Sequence, residues 1–175
     1  HFGIHAHDIS PESEGFGLNF GGDNTVGAVK DFFAPFEGLP GDVQSEPGEY
    51  LTDRLTQETI DFIEANQDGP FYVQLWHYAP HTPIQPPETV VEKYRQKRTQ
   101  LGDLSLNPTY AAMIDVVDQG LGRIVQKLDD LGLDDNTVIL FTSDNGGVES
   151  LGSVPVTSMG ALRGDKGWTY EGGVR

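Results

Sequence analysis

The stretch YAAMIDVVDQGLGRIVQKLDDLGLDDNTVILFTSDNGG (residues 110–147) decides the fold, because it joins a long helix to an apolar strand through a short turn. Its first part spaces apolar side chains alternately by four and by three residues. That spacing predicts one buried stripe on a helix of about six turns. The members of the stripe are Tyr110, Ile114, Val117, Leu121, Ile124, Leu128 and Leu131. Gly132 follows, where a left-handed C-cap is expected.

The segment TVILFT (residues 137–142) is apolar on both faces, as a strand inside a parallel sheet is. Helix, turn and strand together predict an α/β layered sheet, in which ligands bind beyond the carboxyl ends of the strands. Asp144 and Asn145 stand at such an end and offer the mixed oxygen donors that Ca²⁺ or Mg²⁺ accepts. The alternative is an Asn-Gly hairpin turn, but the following VESLGSVPVTSMG alternates too little to supply a returning strand.

Upstream, YLTDRLTQETIDFIEAN (residues 50–66) has the apolar spacing of an amphipathic helix. FYVQLWHYA (residues 71–79) alternates as a strand does and runs into PHTPIQPP, a loop stiffened by four prolines. His81 lies in this loop, where a fixed imidazole suits proton transfer, although a surface histidine is the alternative. The adjacent His77 lies within the strand and is predicted to be structural. A short charged helix, ETVVEKYRQKR (residues 88–98), follows.

A third cluster is LRGDKGWTYEGG (residues 162–173), in a chain with few basic residues. Lys166 stands in a glycine-flanked loop together with Arg163, and a lysine there can meet an anionic group as a compact point charge. A solvated loop is the alternative.

The overall charge argues against two classes of partner. Acidic residues outnumber basic ones 27 to 11, which gives a formal net charge of -16. Such a surface repels phosphate backbones and anionic lipid, so we expect no nucleic-acid and no membrane-surface binding. No run reaches the roughly 18 consecutive apolar residues of a membrane span. The absence of cysteine leaves the redox compartment open, and the oligomeric state is open too.

These stretches, together with HFG (residues 1–3) and PESEGFGLNFGG (residues 11–22), resemble in their order the sulfatase family of the alkaline-phosphatase-like superfamily. The resemblance implies an α/β fold with a mixed, mostly parallel sheet flanked by helices, here as a partial domain. Residues 1–175 would then be the central part of a single catalytic domain, a fragment without the nucleophile region and the C-terminal region.

The resemblance also implies roles for particular residues. Asp144 and Asn145 would ligate a divalent cation, usually Ca²⁺, and Lys166 would hold a sulfate oxygen. His81 would contact the sulfate ester and protonate the leaving group, and His1 would act as a base beside the nucleophile. That nucleophile is a formylglycine made from a C/S-x-P/A-x-R motif, which the sequence lacks. The chain alone is therefore expected to be inactive, with half a metal site.

The implied activity is sulfuric ester hydrolysis on sulfated small molecules or carbohydrates, more specifically on sulfated sugars or polysaccharides, by a secreted or periplasmic protein. A phosphodiesterase, phosphonate hydrolase or phosphotransferase of the same superfamily is the nearest alternative, although DNGG followed by LRGDKG and YEGG favours a sulfatase. A homologue that binds sulfated glycan without cleaving it is the second alternative.

Overall fold

The computed structural model describes residues 11–22, 29–36, 39 and 45–175. The elements in chain order are α1 (Leu51–Ala65), α2 (Glu88–Leu101), α3 (Pro108–Asp130), a 3-10 turn (Asp134–Asn136), β1 (Ser150–Leu151), β2 (Val154–Pro155) and α4 (Glu171–Val174). The chain divides into two compact units. The first comprises His1–Gln85 and Met113–Asn136, and the second comprises Pro86–Ala112 and Thr137–Arg175.

The core of the first unit forms where α1 packs against α3. The predicted amphipathic helix is confirmed as α1, and its buried face meets two apolar positions of α3. The buried members of this cluster are Ile60, Ile63, Ile124 and Leu128, with Phe71, Leu75, Leu131 and Leu133 partly buried against them. Each buried aliphatic side chain contributes about 1.5–3 kcal/mol to the hydrophobic free energy.

The helix α3 is confirmed, but its predicted stripe is rotated from the face that it buries. Ile114 of the stripe is 43% exposed. A Cβ on Gly120 would lie 2.5 Å from Oγ1 of Thr56 on α1, so glycine lets the two helices approach closely here. The helix α3 therefore meets α1 at a glycine as well as at Ile124 and Leu128, and a stripe of large apolar residues does not predict the glycine. The buried residues of α3 within this unit are Met113, Asp115, Val116, Gly120, Ile124 and Leu128.

The C-terminus of α3 has the predicted glycine cap. Gly132 adopts a left-handed conformation with φ +66°. The N–H of Leu133 donates to the carbonyl oxygen of Leu128 at 2.8 Å, and the N–H of Gly132 donates to that of Asp129 at 2.9 Å. This pair of bonds is a Schellman motif, which satisfies carbonyl groups that the end of a helix leaves open.

The two predicted strands do not form within the described residues. Residues 71–77 alternate between half-buried and exposed side chains, as predicted, with Tyr72 69% and Trp76 57% exposed. In residues 137–142, which were expected to be buried on both faces, Leu140 is 89% exposed. A strand requires a neighbour about 4.8 Å away that completes its hydrogen bonds, and the described part of the chain pairs neither segment with one.

The sheet that does form in the described residues is a short antiparallel hairpin in the second unit. Ser150 pairs with Pro155 and Leu151 with Val154, around Gly152 at φ +62°. This hairpin lies wholly within VESLGSVPVTSMG and does not supply a strand that returns from an Asn-Gly turn at DNGG. The Asn-Gly pair is not its turn, because the hairpin begins several residues later.

The charged helix predicted over residues 88–98 is confirmed as α2, which continues to Leu101. Gly102 ends it with φ +63°.

The described residues include no helix with the length and apolar character that crossing a membrane requires.

Candidate active site

The loop of residues 144–147, here called the DNGG loop, is fixed mainly through its backbone. The N–H of Gly146 donates to the carbonyl oxygen of Gly173 at 3.0 Å, and a Cβ on Gly146 would overlap the carbonyl oxygen of Gly172. The Ser143 hydroxyl donates to the carbonyl oxygen of Asn145 at 2.6 Å. A buried glycine is thus required at the centre of the loop.

The loop that carries Lys166 is bonded directly to the DNGG loop. The N–H of Lys166 donates to the carbonyl oxygen of Gly147 at 3.0 Å. The Asp165 carboxylate accepts a hydrogen bond from the N–H of Glu149 at 3.1 Å. Sequence reasoning treated these stretches as separate clusters, whereas the structure brings them together within one compact unit.

Two residues have structural roles here that sequence reasoning missed. Gly172 donates its N–H to the carbonyl oxygen of Arg163 at 2.9 Å, and a Cβ on Gly172 would overlap the carbonyl oxygen of Gly164. The Arg163 guanidinium lies 3.8 Å from the centroid of the Tyr170 ring, a cation–π contact. This contact with Tyr170 holds the Arg163 side chain in the loop that carries Lys166. The only signal in the sequence was the glycine pair of YEGG, which no helical or strand periodicity explains.

The candidate ligand side chains remain available for a ligand. Asp144 and Lys166 are exposed and Asn145 is half-buried. Within the described residues, no hydrogen bond or ion pair engages any of these three side chains. A carboxylate, an amide oxygen and an ammonium group are therefore presented by two loops that the backbone holds together.

The donors at this site fit a hard divalent cation, although only in part. Ca²⁺ takes about six to eight oxygen ligands, and Asp144 and Asn145 supply a carboxylate and a carbonyl oxygen. Among the described residues, no group of three or more histidine, aspartate or glutamate side chains is placed to hold an ion. The pair supplies two of the oxygen donors that such a site requires.

His81 lies in the first compact unit, and its ring is held by its neighbour. The His81 N–H donates to the carbonyl oxygen of Tyr78 at 2.9 Å. Ring atom Nδ1 lies 3.1 Å from the hydroxyl oxygen of Thr82 and 3.2 Å from its carbonyl oxygen. A ring that donates a proton is in the imidazolium form, in which Nδ1–H donates to the Thr82 carbonyl oxygen and the Nε2 proton is the one that can be released. The predicted base, His1, lies outside the described residues.

His77 has the structural character that the sequence predicts. Its Nδ1 atom is buried and has no hydrogen-bond partner in the described part of the chain. Burial lowers the pKa of His77 to about 4, because removal from water disfavours the imidazolium ion. His77 is therefore neutral at neutral pH.

Comparison with known proteins identifies the class to which this fold and these loops belong. A family model described as Sulfatase matches residues 8–175, so the chain belongs to the sulfatase family. The family shares an alkaline-phosphatase-like α/β fold, of which this chain is a partial domain.

Individual relatives extend this assignment. The uncharacterized sulfatase YdeN of Escherichia coli (strain K12) is 40% identical over 126 residues, 71% of this chain and 21% of that protein. The steryl-sulfatase of Rattus norvegicus is 33% identical, over 76% of this chain and 22% of that protein. A crystal structure of Ps i-CgsB in complex with k-i-k-neocarrahexaose superposes with a TM-score of 0.63 at 34% identity, covering 77% of this chain and 28% of that chain. The chain thus spans about a fifth to a quarter of the length of these curated relatives.

Proposed function

We propose that this chain supplies part of the active site of a sulfuric ester hydrolase that acts on sulfated sugars or polysaccharides. The observation that carries the proposal is the backbone bond between the DNGG loop and the loop of Lys166. This bond joins the loop of the proposed cation ligands, Asp144 and Asn145, to the loop that carries the Lys166 ammonium group. Membership of the sulfatase family supports the proposal that these two loops bind a sulfate ester rather than another anion.

In this proposal, Asp144 and Asn145 hold a Ca²⁺ ion, with its other ligands supplied from outside the described residues. A bound cation offsets the negative charge that the sulfuryl oxygens carry during the transfer. Lys166 donates a hydrogen bond to one of those oxygens from its exposed side chain. The hydrogen bonds through Gly147 and Asp165 keep the lysine backbone in register with the ligand pair.

His81 is the proposed proton donor to the departing alcohol: as an imidazolium ion it would release the Nε2 proton while Nδ1–H donates to the Thr82 carbonyl oxygen. Such a donor typically contributes about 10²–10⁴-fold to the rate. His1 is proposed to be the base that assists release of sulfate. The formylglycine nucleophile is proposed to come from outside this chain.

The carbohydrate substrate class rests on a feature of the same loop. The Trp168 ring is 59% exposed and stacks on Tyr170 with centroids 6.3 Å apart. A fixed, exposed indole offers an apolar face with a polar edge, which suits the C–H face of a sugar ring flanked by hydroxyl groups. The similar protein Ps i-CgsB was crystallised with a neocarrahexaose, which supports the same class. We also propose that the protein is secreted or periplasmic, because it would encounter such polymers there.

The test uses the complete reading frame that contains residues 1–175, assayed for sulfate release from a carrageenan oligosaccharide, a sterol sulfate and a phosphodiester. We expect sulfate release from the oligosaccharide. His81→Ala should lower kcat about 10²-fold or more while KM changes little, and Asp144→Asn should raise the Ca²⁺ concentration needed for half-maximal rate. Lys127→Gln, a surface change on α3, is the matched control.

Two results would overturn the proposal. Release of phosphate but not sulfate would support the phosphoester alternative. Binding of the oligosaccharide with no release of sulfate would support the homologue that binds without cleaving. An unchanged kcat in His81→Ala would remove the proton-donor role and leave the rest standing.

A further inference from the structure

The DNGG loop contains the asparagine side chain with the greatest intrinsic reactivity in this chain. Asn145 is the only asparagine of the sequence that is followed by glycine. In an Asn-Gly pair, the backbone nitrogen of the glycine can attack the side-chain amide carbon of the asparagine, because glycine has no side chain that shields this nitrogen. The other asparagines precede phenylalanine, threonine, glutamine or proline, and proline has no N–H to react.

The reaction, a deamidation, consumes water and releases ammonia. The backbone nitrogen of Gly146 loses its proton and bonds to Cγ of Asn145, while the C–N bond of the side-chain amide breaks and its nitrogen leaves as ammonia with that proton. Water then opens the resulting succinimide ring at either of its two carbonyl carbons. The product is aspartate, or iso-aspartate, in which the main chain runs through the former side chain and is longer by one methylene.

The fold holds the peptide group between Asn145 and Gly146 at both of its ends. Its carbonyl oxygen, on Asn145, accepts a hydrogen bond from the Ser143 hydroxyl at 2.6 Å. Its N–H, on Gly146, donates to the carbonyl oxygen of Gly173 at 3.0 Å. Gly146 is buried, and a Cβ there would overlap the carbonyl oxygen of Gly172, so little space is left for this peptide group to rotate. The nitrogen that must attack is therefore hydrogen-bonded and held in place.

The side chain that would be attacked is not held in the same way. Asn145 is half-buried, and within the described residues no hydrogen bond engages its side-chain amide. Asn66, by contrast, donates its side-chain N–H to the carbonyl oxygen of Phe62 at 2.8 Å. Reaction at Asn145 is therefore limited by how often the hydrogen bond between Gly146 and Gly173 opens, and such local opening occurs far more often than global unfolding.

We infer that Asn145 is a site of spontaneous deamidation, and that the hydrogen bonds of its peptide group to Ser143 and Gly173 suppress the reaction in the folded protein. The consequence for the candidate active site rests on the proposed function. Aspartate would place a second carboxylate beside Asp144, where the proposed Ca²⁺ site has a neutral amide oxygen. Iso-aspartate would lengthen the main chain of a loop that has no spare room. Either product would change the affinity for Ca²⁺ as the protein ages.

The test follows the conversion of Asn145 by peptide mass spectrometry while the complete protein is incubated without Ca²⁺ at mildly alkaline pH. Each rate is divided by that of a free peptide with the sequence of residues 142–155 of the same variant, which lacks the fold. Ser143→Ala removes one of the two hydrogen bonds, and Ser153→Ala, an exposed position between β1 and β2, is the matched control. We expect conversion about 100-fold slower in the folded protein than in the peptide, and about tenfold faster in folded Ser143→Ala than in the unchanged protein. Ser153→Ala should not change the rate.

Hydrogen exchange gives an independent measure of the same opening. The amide of Gly146 should be protected by about the factor that slows conversion of Asn145, because both processes need its hydrogen bond to open. Three results would overturn the inference: equal rates in the folded protein and the peptide, an unchanged rate in Ser143→Ala, or conversion of Asn145 no faster than that of the other asparagines when the protein is unfolded in urea.

Adding Ca²⁺ separates this inference from the proposed function. A side chain whose amide oxygen is bound to Ca²⁺ cannot turn toward the nitrogen of Gly146, so saturating Ca²⁺ should slow the conversion of Asn145 further. An unchanged rate would count against Asn145 as a cation ligand, whereas the rates measured without Ca²⁺ decide the deamidation site by themselves.

Discussion

The α1–α3 pair and the glycine-rich loops of residues 144–173 are held together by different means. The helix pair relies on side chains: an apolar cluster inside and ion pairs along its rim. The loops rely on backbone hydrogen bonds and on glycines that leave no space for a Cβ. A packed side chain can be replaced at a graded cost, whereas two backbones in contact cannot separate without breaking the bonds between them. The candidate ligand residues therefore lie in the region that tolerates substitution less well.

The largest expected effect is at the crossing of the loops. Gly146→Ala would drive a Cβ into the carbonyl oxygen of Gly172, and we expect a loss of about 4 kcal/mol or more, the range reserved for severe disruptions. Hydrogen exchange locates the damage: the amide of Lys166 should lose protection while amides of α1 keep theirs. Gly69→Ala, which has open space around it, is the control. Retained protection at Lys166 would show that the crossing can relax.

This contrast also explains how far the sequence predicts the molecule. Helices were predicted because the apolar period of a helix is local, and Gly132 was predicted as a cap because its position follows from the end of that period. The pair Asp144–Asn145 and Lys166 were predicted through motifs. The hydrogen bond that joins their loops was not predicted, because a backbone hydrogen bond between two loops leaves no pattern in the sequence. Strand pairing over residues 137–142 depends on partners that the local sequence does not contain.

The next effect is a pH dependence of stability in the first compact unit, to which His77 belongs. His77 has a pKa of about 4 in the folded protein against an ordinary 6.5, so the unfolded chain binds more protons between these values. Stability should therefore fall as the pH drops below 6.5 toward 4. We expect about 2 kcal/mol to be lost between pH 7 and pH 5, measured by urea unfolding. His77→Gln removes this titration, so an equally steep loss in that variant would assign the effect to other groups.

A smaller effect, with opposite signs at two nearby glycines, tests the packing of α3. A Cβ at Gly120 would press on Oγ1 of Thr56, which donates to the carbonyl oxygen of Thr52, whereas Gly122 has open space around it. Gly120→Ala should lose about 1 kcal/mol, because overpacking exceeds the gain in helix propensity. Gly122→Ala should gain about 0.5–1 kcal/mol. Thermal unfolding of both variants measures the difference, and stabilisation by both would mean that the helices are not in close contact at Gly120.

The smallest expected effect concerns the rim of the same helix pair. Lys127 lies 3.2 Å from Glu64, and the glutamate is more than half exposed, so water and salt screen their attraction. A double-mutant cycle with Lys127→Gln and Glu64→Gln should give a coupling of about 0.5 kcal/mol or less, which 0.5 M salt should reduce further. A coupling above about 1 kcal/mol would mean that the rim carries part of the stability assigned to the apolar cluster. A small coupling would place the stabilising free energy of the helix pair in its apolar core.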